Sequence, residues 1–236
     1  MKNPIYISIL MALFALNTIS AQSSIKGEGD VVKQEIKLSD FDGIELAIGA
    51  DVVLTQGKIQ KVVIEGQQNI IDNIEKEVRG SSWKISYDKN VKSAKPVTIY
   101  ITLQKISDIA FSGSGSISTK GKFSGLNDLD IAMSGSGDIQ LEVEADDIDL
   151  AMSGSGDVDL SGSGKSLDIA ISGSGNVDAT SLPVSGCAVA ISGSGDVMVH
   201  VNGDLEVAIS GSGNVKYKGN ANVESWTSGS GSVVKM

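Results

Sequence analysis

The stretch AISGSGNV occupies residues 170–177 and recurs at 208–215, with AISGSGDV at 190–197. AMSGSGDI (132–139) and AMSGSGDV (151–158) are close copies. Such a stretch can be a phosphate-cradling loop, a flexible linker, or one stroke of a repeating architecture. The spacing decides between them. SGSG starts at 112, 134, 153, 172, 192, 210 and 228, so the intervals are 22, 19, 19, 20, 18 and 18 residues. A period near 20 residues marks a stacked array.

Within each unit the alternation is strict. Leu129, Ile131, Met133, Gly135, Gly137, Ile139 and Leu141 share one parity, while the other carries Asp, Ala, Ser, Ser and Asp or Asn. Period two with one apolar side is the signature of a half-buried strand. A pair of short strands cannot bury its own apolar row, but coils stacked about 4.8 Å apart make a continuous interior. The sequence therefore predicts an all-β parallel β-helix, a solenoid of about 18–22 residues per coil. The handedness rule for parallel connections favours a right-handed winding. Each Gly-Ser-Gly either points both glycines inward, where a side chain would collide, or turns the chain through positive φ. A linker would not be flanked by apolar rows in fixed phase. A second SGSG, at 161–164, breaks the frame between Leu160 and Leu167 and is expected to be the turn from one coil to the next. The run SGSGKS there is not a phosphate loop: the pattern needs a glycine where Asp159 stands, and no strand-to-helix switch follows.

The chain begins MKNPIYISILMALFALNTISAQSS. Lys2, an apolar stretch over 5–16 and small residues before Gln22 predict a signal peptide over 1–21. Export places the chain in the periplasm, on the outer-membrane surface or outside the cell. No cysteine near the cleavage site offers a lipid attachment point, and no membrane insertion is expected after cleavage. The net charge of −10 argues against nucleic acid or an anionic bilayer as partner. Cys187 is the only cysteine, so it forms no intrachain disulfide and is expected to be a small buried apolar residue.

The sequence divides into an irregular β-rich part (22–106) that caps the stack and the regular repeat (107–236). In the first part, GIELAIGADVVLT (43–55) follows the repeat template with two residues missing at the glycine corner. Further strands are expected at 31–37, 60–65, 82–87 and 96–103, with a hairpin across Arg79-Gly80-Ser81-Ser82. FDGIELAIGADVVLTQG, VVIEGQQNIIDNIEKEV, WKISYD, VTIYITL and the AFSGSGSI series, in this order, resemble the head GIN domain family of putative auto-transporter adhesins. The likeness spans the mature chain and implies a secreted β-helical protein of the kind common in Bacteroidetes-type bacteria. It implies no catalytic residue, and at this length no translocating barrel is expected.

Candidate chemistry is sparse. His200 is the only histidine and Arg79 the only arginine, a poor complement for cleaving acidic polysaccharide, so no enzyme is expected. An outward column of Asp138, Asp157, Asn176, Asp196 and Asn214 could share Ca²⁺ between stacked oxygens. The preferred reading is turn chemistry, with asparagine diluting repulsion and no cofactor bound. Trp226 stands where the other units have alanine, either as a contact for a sugar or protein partner or as a lid over the last coil. The reading is a non-enzymatic envelope protein whose outer face binds a polysaccharide or protein surface. A carbohydrate-active enzyme and a purely structural protein are its rivals. The last coil, WTSGSGSVVKM, is expected to leave an uncovered strand edge that permits weak self-association.

Overall fold

In a computed structural model, residues 24–236 are described; the signal-peptide expectation lies outside them. The described residues are 67% strand and 2% helix, wound as parallel stacked coils into a β-solenoid of about seven turns. Each coil has two strand faces. The first face precedes the SGSG corner and the second follows it. On the first face, β12 (Phe123–Met133), the end of β13 (Asp138–Met152) and the end of β14 (Asp157–Ile171) stack in register, Met133 on Met152 and Leu150 on Ile169. The starts of β13, β14 and β15 (Asn176–Gly193) stack on the second face, Asp138 on Asp157 on Asn176. The stack continues through β16 (Val197–Gly211), β17 (Asn214–Lys218), β18 (Asn222–Gly229) and β19 (Ser232–Lys235). The apolar parity predicted from sequence is the buried one, and a single apolar cluster runs from Ile36 to Val215.

Alternation does continue through the corner. Gly135 and Gly137 are buried in phase with Met133 and Ile139. Yet what a side chain would strike there is not the opposite wall. A Cβ on Gly154 would run into the carbonyl oxygen of Gly135 in the coil below, and one on Gly173 into that of Gly154. The second glycine of the corner is as tightly placed: a Cβ on Gly156 would meet both the Gly137 oxygen and the Met133 methyl. The coils approach because the corner serines are hydrogen-bonded across it. Ser153 N donates to Met133 O at 2.8 Å, and Ser172 N to Met152 O at 2.8 Å. The off-frame SGSG does not interrupt the ladder. Ser161 to Gly164 pair with Glu142 to Ala145 inside β14, Gly162 and Gly164 stand in register with buried Val143 and Ala145, and the inward parity switches between Gly164 and Leu167.

The first part of the chain contributes coils of its own, in a spatial order that differs from the sequence. β3 (Gly43–Leu46) and β4 (Asp51–Gln56) pair on one side with β10 (Asp108–Phe111) and β11 (Ser116–Thr119). On the other side they pair with β7 (Ser82–Ile85) and β9 (Thr98–Leu103). Residues 43–56 therefore lie between a coil that follows them in sequence and the regular stack. Their corner is of full length: Leu46 aligns with Phe111 and Asp51 with Ser116, so Ile48 and Ala50 stand in the two glycine places. This corrects the reading of two missing residues. Side chains fit there because the neighbouring coil has no SGSG corner; between Ile85 and Val97 it leaves the stack in an excursion that includes β8 (Asn90–Ser93).

Strand β9 also pairs antiparallel with β5 (Lys61–Gln67), which pairs antiparallel with β2 (Val31–Ile36). A five-residue helix, Gln68–Asp72, buries Ile70 and Ile71 against this end. Short β6 (Val78–Arg79) forms the expected hairpin with β7 across Gly80, whose φ is +63°. Trp83 is fully buried, its Nε1 donating to Glu75 O at 3.0 Å. The buried side chains of Gln67 and Asn73 fasten the excursion by accepting from Lys95 N and Lys89 N at 2.8 and 3.0 Å. β1 (Ser24–Lys26) pairs with β8.

Gly173→Val is expected to destabilise by about 3 kcal/mol, the upper range for forcing atoms into packed space, and to lower the melting temperature by roughly 6–12 °C. Gly186 has nothing within 4 Å of its Cβ position, so Gly186→Ala is expected to leave melting unchanged or slightly raised. Equal effects of the two substitutions, read by thermal circular dichroism, would contradict the close approach of coils at the corner.

Candidate functional site: the alanine trough and its charged columns

In-register stacking converts each outward position into a column about 4.8 Å per step. On the first face one column is Ala110, Ala132, Ala151, Ala170, Ala190 and Ala208, and Trp226 completes it. Six steps give a length of roughly 29 Å. Beside it runs the serine column of the corners, and the two enclose a groove of about 950 Å³. On the other side lie Asp130, Asp149, Asp168 and Glu206, which with the alanines flank a second groove of about 520 Å³. The alanines form the shared floor of one trough, acidic along one wall and hydroxylic along the other. Trp226 closes one end with 60% of its surface exposed, so it is an outer-face residue and not a lid over the core. At the opposite end Glu45 is paired with Lys84 at 2.8 Å.

The acidic wall is under like-charge strain. Asp149 has Asp130 and Asp168 directly in register on either side. Its pKa is raised, first by partial burial and then by Asp168, Asp130, Asp147 and Asp128. Asp159 on the second face is raised in the same way, by burial and then Asp178, Asp157 and Asp138. Among the described residues none of Asp130, Asp149, Asp168 and Glu206 forms an ion pair. For a carboxyl whose folded pKa lies above its unfolded value, the destabilising charge is fully present at neutral pH. It fades as pH falls through the folded pKa.

The Asp/Asn column differs. Asn176 Nδ2 donates to Asp157 Oδ1 at 2.9 Å, and both the backbone N and Nδ2 of Asn214 donate to Asp196 Oδ1 at 2.9 Å. Ser232 Oγ continues the chain to Asn214 Oδ1 at 2.8 Å. Alternating amide and carboxylate thus supplies donors where a run of aspartates would repel. Asp138, next to Asp157, is the unrelieved end of this ladder. No non-glycine residue has positive φ among the described residues, so tolerance of turn geometry is not what places these residues; the ladder is. Among the described residues no three His, Cys, Asp or Glu side chains converge as a metal cage.

His200 is half-buried between buried Val199 and Val201, and its register neighbours are Pro183 and Lys218, neither a hydroxyl nor a carboxylate. Arg79 pairs with Glu77 at 3.1 Å. Cys187 is buried, as expected, and its thiol is pushed up to about 12, first by burial and then by Asp168.

Three outcomes are expected. Asp149→Asn raises the melting temperature at neutral pH by roughly 1–3 °C, through relief of cross-strand repulsion. That gain shrinks as pH falls toward the ordinary carboxyl value of 3.8; a pH-independent gain would mean that charge is not its source. Millimolar Ca²⁺ leaves melting unchanged, whereas an upward shift abolished by Asp157→Ala would show a bound cation. A thiol reagent leaves Cys187 unlabelled until the protein is denatured; rapid native labelling would contradict its burial.

Comparison with solved structures gives the same architecture. A putative adhesin from Bacteroides fragilis NCTC 9343 superposes with a TM-score of 0.85 at 24% identity, covering 90% of this chain and 100% of its own. A putative lipid binding protein from Parabacteroides distasonis ATCC 8503 gives 0.74 at 23% identity, over 91% of this chain and 100% of its own. A putative adhesin from the same organism gives 0.71 at 22% identity, over 91% of this chain and 100% of its own. No curated protein matches the chain. The family model described as "Putative auto-transporter adhesin, head GIN domain" matches residues 40–221, from the first coil to the penultimate one, and the chain belongs to that family.

Proposed function

We propose that the protein is an exported, non-enzymatic adhesin of the cell envelope that holds a partner polymer or protein surface in its alanine trough. One observation carries the reading: a continuous floor roughly 29 Å long, exposed along its length and ending in a largely exposed tryptophan. Adhesion needs extended contact area and no reacting group, and the trough provides area without a converging nucleophile, base or metal cage. The family and the adhesin-named neighbours support the same direction. No helix of the described residues is long and apolar enough to cross a membrane. Lipid binding, the name carried by one neighbour, fits this trough less well, because an acyl chain would lie on an open floor beside a row of carboxylates.

The test is retention of protein-coated beads on arrayed glycans and matrix proteins. Ala170→Gln places a side chain in the middle of the floor and Trp226→Ser removes the end wall; both point outward, so melting is expected to be unchanged. Retention on the bound partner is expected to fall severalfold in each. Full retention by both variants would overturn the assignment of this face. Release of reducing ends from a polysaccharide, abolished by His200→Ala, would identify an enzyme instead.

A further inference from the structure

We propose that the trough seats an extended polypeptide segment rich in lysine or arginine, laid along the solenoid axis with its cationic heads on the Asp130–Asp149–Asp168 wall. The proposal rests on the trough being the adhesive face, and it names the partner chemistry. The wall is a row of three carboxylates in register, followed beyond Ala188 by Glu206 and left without any ion pair among the described residues. Some other surface acids of the protein are held by lysines: Lys165 holds Asp146 at 2.8 Å, Lys122 holds Glu144 at 2.8 Å and Lys105 holds Asp42 at 3.0 Å. An incoming cation would relieve repulsion already present on the wall, so charge complementarity favours a positive occupant.

The floor narrows the choice further. Lysine and arginine are amphipathic, with an aliphatic stem that packs on apolar surface and a head that stays polar. Here alanine methyl groups lie directly beside the carboxylates, so one side chain can use both. Trp226 adds a ring face at one end, where a cation can sit. The strands of the floor spend their backbone groups in their own parallel ladder, which leaves side-chain contacts as the means of recognition. At about 3.3 Å per residue, a floor of roughly 29 Å spans about nine extended residues.

The probe is a blocked nine-residue oligolysine, followed by tryptophan fluorescence. Trp83 is fully buried and Trp226 is 60% exposed, so a spectral change on titration reports the trough. The expected result is saturable binding with a blue shift, weakened about tenfold between roughly 50 and 300 mM salt. The variant Asp130→Asn/Asp149→Asn/Asp168→Asn is expected to lose about tenfold in affinity. Glu28→Gln/Asp40→Asn/Asp72→Asn has the same net charge and is expected to bind like the parent. Ala170→Gln is expected to abolish binding without changing melting. Equal loss in both triple variants, binding unaffected by Ala170→Gln, or equal affinity for oligoglutamate would overturn the proposal. Tighter binding of a chitosan oligomer would do so as well, in favour of a glycan. If oligolysine fails while Ala170→Gln still lowers bead retention severalfold, the partner chemistry is wrong and the face is right. If Ala170→Gln leaves retention intact, the face itself is wrong.

Discussion

At each corner the serine amides donate to carbonyls of the coil below, Ser172 N to Met152 O at 2.8 Å and Ser174 N to Gly154 O at 3.3 Å. Hydrogen bonding across the corner, and not only along the strands, sets one coil-to-coil spacing for the whole circumference. The two glycines follow from it, since a Cβ at either would occupy the oxygen of the coil below. A β-helix with long corner loops could let those loops diverge. This one keeps its corners in the stack and is therefore regular on its outside as well as in its core.

That outer regularity has costs and uses. Identical residues repeat at strand spacing, so any charge chosen for an outward position meets its like in the next coil. One column of the second face handles this by alternating Asp157, Asn176, Asp196 and Asn214, which donate and accept along it, although the adjacent Asp159 and Asp178 pair remains unrelieved. The first face does not. Asp130, Asp149 and Asp168 repeat without an intervening amide, and the Asp149 carboxyl is raised by burial first and by these neighbours next. The unrelieved column stands directly beside the apolar floor of the trough.

The regular part was legible in the sequence because period two and a period near 20 residues act together: parity assigned the buried face, and the SGSG spacing assigned the register. Trp226 in the alanine column could be read by alignment alone, but its exposure could not, because a terminal aromatic can fold over a core or stand off it. Three features escaped for physical reasons. Ile48 and Ala50 hid the first corner, since glycine is needed only where another corner lies directly below, and the excursion after Ile85 removes that neighbour. The placement of residues 43–56 between 82–103 and 108–119 is a long-range pairing with no local signature. The relief of charge in the Asp/Asn column depends on which amide faces which carboxylate across coils, which composition suggests only as a dilution of like charges.

Native-state amide hydrogen exchange, resolved coil by coil, tests the corner most directly. If the Ser-Gly-Ser-Gly segments are hydrogen-bonded parts of the stack, the amides of Ser153, Ser172, Ser194 and Ser212 exchange with the protection of the flanking strands, Leu150 to Ile209, as one cooperative unit. Exchange of these serines at the rates of exposed loops, with the flanking strands still protected, would mean that the corners are flexible connections and that the spacing of the outer columns is set elsewhere.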